Sequence, residues 1–147
     1  MLLMSIKPKY AYKILKGNKK YELRKKCDGI NYGTKVIIYA TSKVKAIVGE
    51  FKVGKVYKMK VKELWNFVKD HAGVTKEEFD NYFKRSEYGY AIEILDPITY
   101  STPLPLATIR EELNEPKWMP PFSYCRINED SPLFSIITKH VEKINKK

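Results

Sequence analysis

Three side chains within six residues, Lys19, Glu22 and Arg24, are of types that could act together. Glu22 and Arg24 stand two apart and share a face on an extended chain. Lys19 follows Gly17-Asn18, a helix stop that turns the chain back towards them. A carboxylate between an ammonium and a guanidinium suits two ends, a structural ion pair at a sheet rim or the polar floor of a binding site, and the residues alone leave both open. If such a site catalyses, Glu22 is the expected general base, with Lys19 or Arg24 steadying an oxyanion. Lys7 adds a further cation, placed where the positive end of a helix dipole disfavours it unless an anion or acceptor answers it.

The elements that would position these groups are readable from pattern. Leu2–Ile6 reads as a short buried strand; Pro8 and Gly17 bracket a helix over residues 8–16 whose apolar face is Tyr10, Ala11, Ile14 and Leu15. Residues 21–25 alternate like a strand, and residues 35–41 form the strongest strand pattern in the chain. A long strand or bent pair follows over residues 46–62, with a bulge or bend at Gly54, and with Lys52, Lys58, Lys60 and Lys62 on one face and Phe51, Val53, Tyr57, Met59 and Val61 on the other. Residues 64–68 read as helical, and Thr75-Lys76-Glu77-Glu78 is a capping box opening another helix. Tyr88–Leu95 reads as a strand halted at Asp96-Pro97. A proline-rich stretch follows, interrupted by a short helix near residues 106–113, then a closing strand over 122–127 and a terminal helix over 131–146. Strands outnumber helices and no regular βαβ alternation is present. This predicts an α+β chain built on a small, partly closed mixed β-barrel with helices packed outside it.

Charge is distributed unevenly. Residues 1–62 hold 17 Lys and Arg against 3 acids, a net +14, whereas residues 63–147 carry a net −3. Such a cationic half attracts polyanions; a uniformly lysine-rich surface is the plainer explanation. The 147 residues suffice for one self-supporting domain. Cys27 and Cys125 lie far apart without a CxxC or Cys/His cluster, and His71 and His140 stand alone, so neither a metal nor a disulfide framework is expected. No run is long enough to span a bilayer, and the apolar opening is too short for a signal-peptide core, so a cytoplasmic protein without a membrane role is expected. Phosphate loops and dinucleotide fingerprints are absent from the sequence, and no cofactor is expected.

Tyr10, Tyr12, Tyr21, Tyr32, Tyr39, Trp65, Trp118 and Tyr124 are interleaved with lysines or prolines. Most such rings serve as packing, but exposed ones stack on unpaired bases, and Trp118 in its extended Pro116–Pro120 setting is the best candidate wall. Thr41-Ser42 ends the strongest strand and either lines a cleft or opens a polar turn. Glu50 either pairs with a lysine or reads an exocyclic amine.

The segment from Ser5 to Lys25, with Gly17, Lys19, Glu22 and Arg24, resembles the N-terminal signature of the ASCH domain family, which belongs to the PUA-like superfold. Ile38-Tyr39-Ala40-Thr41-Ser42 running into Val48-Gly49-Glu50-Phe51, and Pro120-Pro121-Phe122-Ser123-Tyr124, extend the likeness to members described as predicted transcriptional regulators. It covers about residues 2–126, within an expected domain over 1–126 that carries 127–147 as a helical appendage. The resemblance implies a PUA-like barrel whose cleft binds nucleic acid, RNA ahead of DNA, or a modified base. The expected binding residues are Lys7, Lys19, Glu22, Arg24, Thr41, Ser42, Lys58, Lys60, Trp118 and Tyr124. The alternative is a small hydrolase, an amidohydrolase on a modified nucleoside or a ribonuclease, using Lys19 and Glu22. One bacterial branch of the family removes the acetyl group of acetylcytidine with a lysine, a threonine and a glutamate. Lys19 matches that lysine, but Glu22 stands at the threonine position, and the third acid would fall near Ala72, where only Asp70 is close. That departure argues against the same mechanism.

Overall fold

Leu2–Ile6 (β1) is buried along its whole length, which is why it reads as an unbroken apolar run. In the computed structural model, which describes residues 1–145, β1 pairs in parallel with Lys35–Ala40 (β3) and antiparallel with Tyr124–Arg126 (β6). Ala46–Lys60 (β4) runs antiparallel to β3, Tyr88–Pro105 (β5) to β4, and Tyr21–Arg24 (β2) to β5. The six strands form one mixed sheet in the order β2-β5-β4-β3-β1-β6, curled into a half-barrel. The helices are Pro8–Leu15 (α1), Val61–Val68 (α2), Lys76–Tyr82 (α3), Leu106–Leu113 (α4) and Pro132–Asn145 (α5). The expected α+β, PUA-like architecture is the observed one.

Strand alternation divides the core. Leu2, Met4 and Ile6 join Val36, Ile38, Phe51, Val53 and Ile92 on the face that α1 packs against with Ala11 and Ile14. Leu3, Ile37, Tyr39 and Ile47 point the other way, where Leu106 and Ile109 of α4 and Ile137 of α5 cover them. A third cluster sets Leu64 and Val68 of α2 and Phe79 of α3 against Leu23 and Ala91. Each large apolar side chain buried in this way contributes roughly 1.5–3 kcal/mol.

Two expectations about the strands fail for one reason, an extra residue in a ladder. Asp96-Pro97 does not halt the chain: Leu95 pairs with Lys52 and Ile98 with Glu50, and Asp96 takes a left-handed turn (φ 49°) to absorb the surplus. This is a bulge, the place where a strand tolerates proline. β5 beyond it has no partner on the β2 side, so Pro103 and Pro105 cost no ladder bond there. The second extra residue lies at Gly54, where a bulge or bend was expected and a bulge is found: Val53 pairs with Ile94, but Val56 pairs with Ile92. The alternation thereby reverses, so Lys58 and Lys60 lie on the opposite face from Lys52. Tyr57 and Met59 accordingly pack in the third cluster while Phe51 and Val53 pack in the first. Val61 and Lys62 belong to α2 rather than to the strand. Of the expected terminal helix, Lys146 lies outside the described residues.

α5 lies against the unpartnered half of β5 as well as against the second cluster. There the His140 ring nitrogen Nε2 donates to the Thr102 carbonyl at 2.6 Å, since a carbonyl only accepts. No helix among the described residues is long and apolar enough to cross a membrane.

Candidate functional site

The curled sheet leaves an open seam between its two edges, β2 on one side and β1–β6 on the other, and a cleft of about 1030 Å³ lies along it. α1 leaves β1 at Lys7 and stops at Gly17, whose φ of 80° permits the reversal into β2. That reversal drops Lys19 beneath the loop joining α2 to α3. Gly73 in that loop sits at φ 67°, and a Cβ there would come within 2.8 Å of Lys19 Cβ; only glycine lets the backbone close over the lysine stem.

Lys19 is 3 % exposed and donates to the Ala72 carbonyl at 2.6 Å, with Glu22 Oε1 at 3.8 Å. Burial pulls its ammonium below the usual lysine range, against the opposing pull of Glu22. Glu22 is buried too; its Oε2 accepts from Arg24 Nε at 2.9 Å and lies 2.7 Å from Nη2, a close ion pair. Arg24 continues across the seam. Its Nη1 donates to Ser123 Oγ at 3.0 Å and its Nη2 to the Ser5 carbonyl at 3.1 Å. One guanidinium therefore ties edge strand β2 to the strand at the far edge where no backbone ladder closes the barrel. The ion pair thus clasps the rim of the sheet, and its residues line the cleft.

Above this floor stands a pair of groups that the sequence did not single out as a site. Glu78 Oε1 completes the capping box with the Thr75 N–H, while its Oε2 accepts from Lys9 Nζ at 2.7 Å and from the Tyr10 hydroxyl. Hydrogen bonds from Lys9, Tyr10 and the Thr75 backbone hold the Glu78 carboxyl well below the usual carboxylate range. Burial, then Glu78, pushes the Tyr10 hydroxyl up to about 12. A capping-box glutamate looks fully employed in one dimension, and Tyr10 looks like an apolar helix face. Only the approach of α3 to α1 shows that they meet at the cleft.

Of the expected residues, Lys7, Lys19, Glu22, Arg24, Thr41 and Ser42 line the cleft together. Lys45 and Arg110, which sequence reasoning missed, line it as well. Trp118, Tyr124, Lys58 and Lys60 are not brought to it. Trp118 packs on the second core cluster and its carbonyl accepts from Arg110 Nε. Tyr124 donates its hydroxyl to the Asp28 carbonyl on the loop after β2. Lys58 lies over the rings of Tyr88 and Tyr90, at 5.2 and 6.0 Å, beyond the end of the first cluster. Glu50 lies elsewhere again: its Oε1 accepts from the Tyr100 hydroxyl at 2.8 Å, with Lys35 Nζ 3.6 Å from Oε2, beside a smaller cavity of about 370 Å³. Among the described residues no group of three His, Cys, Asp or Glu is placed to hold a metal ion.

Comparison with known proteins fits this geometry. The crystal structure of ASCH from Zymomonas mobilis superposes with a TM-score of 0.83 at 22 % identity, over 93 % of each chain. The N-terminal domain of Staphylothermus marinus McrB superposes at 0.58 with 14 % identity, covering 97 % of this chain and 92 % of that one. In sequence, the chain is 26 % identical over 125 residues to the large ribosomal subunit protein uL22 of Ureaplasma parvum, 85 % of this chain but only 39 % of that protein. The curled sheet is thus of ASCH, PUA-like type, and, with a family model matching residues 3–109, the chain belongs to the family described as Domain of unknown function (DUF365).

Proposed function

We propose that the chain is a nucleic-acid-binding module of regulatory use, holding single-stranded RNA or a modified nucleotide in the seam cleft. Residues 1–126 form the binding unit, and α5 belongs to a helical appendage of the same domain. The observation that carries this reading is the layering of charge in the cleft: a paired floor of buried Lys19 and Glu22 with half-buried Arg24, below exposed cations, Lys7 and Lys45, at the rim. Among the described residues no carboxylate pairs with Lys7 or Lys45. Phosphates are bound by such rim cations, while a base is read by the fixed polar groups of a floor. The likeness to a large ribosomal subunit protein and the ASCH-type fold are in keeping with an RNA partner.

The hydrolase alternative would draw on the same Lys19 and Glu22. It is weakened by the state of Lys19, whose side chain is 2 % exposed and whose ammonium is held by the Ala72 carbonyl. Binding to short single-stranded RNA, duplex RNA and DNA across a salt series, with the RNA checked for chemical change, tests both readings. Salt-dependent binding that prefers RNA, leaves it intact, and loses about one unit of salt slope in each of Lys7→Gln and Lys45→Gln supports the module. Chemical turnover selects the enzyme, and affinity at the nonspecific level for every probe removes the nucleic-acid reading.

A further inference from the structure

Resting on that reading of the cleft, we propose that Phe122 is its stacking platform, on which one unpaired base of a single-stranded nucleic acid lies flat. The adjoining phosphate then runs towards Lys45 and Arg110.

Phe122 lines the cleft, yet its side chain is fully exposed, with a relative accessibility of 105 %. Beside it Met119 is 65 % exposed, and the two prolines between them also line the cleft. An apolar ridge of this kind, rimmed by cations, marks a surface awaiting a partner. The partner's chemistry follows from what surrounds the ring. Lys7, Lys45 and Arg110 line the same cleft, so the partner is anionic. A ring presented without any polar atom of its own takes a flat π-face, and every base has one.

The ridge is also held in advance. Ser5 Oγ donates to the Pro121 carbonyl at 2.6 Å and the Ser5 N–H to the Ser123 carbonyl at 2.9 Å, so the backbone on both sides of Phe122 is pinned to β1. Arg24 holds the Ser123 hydroxyl from the opposite edge. At the other end of the ridge Arg110 Nε donates to the Trp118 carbonyl at 2.8 Å and its Nη2 lies 2.9 Å from Met119 Sδ. Pro120 and Pro121 restrict the chain between these anchors. A ring on so fixed a backbone needs little ordering when a base arrives, which is where preorganised sites gain affinity. The same Arg24 that joins the two sheet edges therefore sets both the floor and, through Ser123, the platform.

The test uses the full chain and short single-stranded RNA carrying one 2-aminopurine, with affinity from anisotropy and stacking from 2-aminopurine quenching. Phe122 has no packing to lose, so Phe122→Ala leaves the fold intact and circular dichroism confirms it. Phe122→Ala is expected to weaken binding roughly tenfold and abolish the quenching, with the salt slope unchanged; Phe122→Trp restores both. Replacing the 2-aminopurine by an abasic site removes the difference between wild type and Phe122→Ala. Wild-type affinity and quenching in Phe122→Ala, with Lys45→Gln still weakening binding, overturn the platform and leave the cleft reading standing. Absence of RNA binding by the wild type overturns both. A wild-type dimer in sedimentation equilibrium that Phe122→Ala dissociates, without change in RNA affinity, assigns the ring to self-association and overturns the proposal.

Discussion

Glu22 and Glu50 are two buried carboxylates in one small sheet, yet they are kept in opposite ways. Glu22 is held between a close guanidinium and a buried ammonium, and it faces a large cleft rimmed by cations. Glu50 is held by one neutral hydroxyl at 2.8 Å and approached at 3.6 Å by the exposed Lys35, on the face that α4 and α5 cover. Burial, then the Glu50 carboxylate, pushes the Tyr100 hydroxyl up out of the usual phenol range. The contrast separates two uses of a buried acid. Where cations surround the acid, removing it strands their charge; where a neutral donor suffices, the acid serves packing and hydrogen bonding alone.

Glu22→Gln is the sharpest way to break this comparison. It leaves Arg24 and Lys19 without a counter-charge and should cost about 3 kcal/mol of stability, read from urea denaturation. Tyr100→Phe should cost less, about 1.5 kcal/mol, because it removes one hydrogen bond to a carboxylate that Lys35 still approaches. Equal losses from the two variants would erase the distinction. The smallest effect sharpens it from the side of pH, through the Tyr10–Glu78 pair above the Glu22 floor. The lowered Glu78 carboxyl contributes stability that is complete above its ordinary value of 4.5 and is lost as pH falls below it. The raised Tyr10 hydroxyl contributes stability that is complete below pH 10 and is lost as pH climbs through about 12. Thermal unfolding followed against pH should therefore show a weaker acid limb in Glu78→Gln and a weaker alkaline limb in Tyr10→Phe.

What could be read from the chain follows from which signals are local. The convergence of Lys19, Glu22 and Arg24 was legible because a helix stop and a two-residue alternation fix it within a few residues. The half-barrel was legible because strand patterns outnumber helical ones without βαβ alternation, and the family likeness rested on the same segments. The course of β5 was not, because Asp96-Pro97 is a stop signal that a bulge converts into a continuation. The face of Lys58 and Lys60 was misread because one added residue near Gly54 reverses parity, and nothing in the alternation itself reports a ladder shift. Glu78 escaped notice because its local role as a cap accounts for its presence, and its second oxygen finds Tyr10 only across 68 residues. Trp118 drew attention for its extended, proline-rich setting, whereas it packs against the second cluster and Phe122, four residues on, stands outside. An extended proline-rich segment has no periodicity from which side-chain direction can be inferred.

The two ends of the sheet carry a consequence for how the protein behaves in a crowded solution. β2 has four residues and β6 has three, and the unpartnered part of β5 is overlaid by α5, with the His140 ring bonded to the Thr102 carbonyl. An aggregating neighbour needs a long, flat row of unpaired amides to copy, and none of these edges supplies one. A chain so rich in β-structure can therefore keep its seam open without offering that opening as a template for fibril growth.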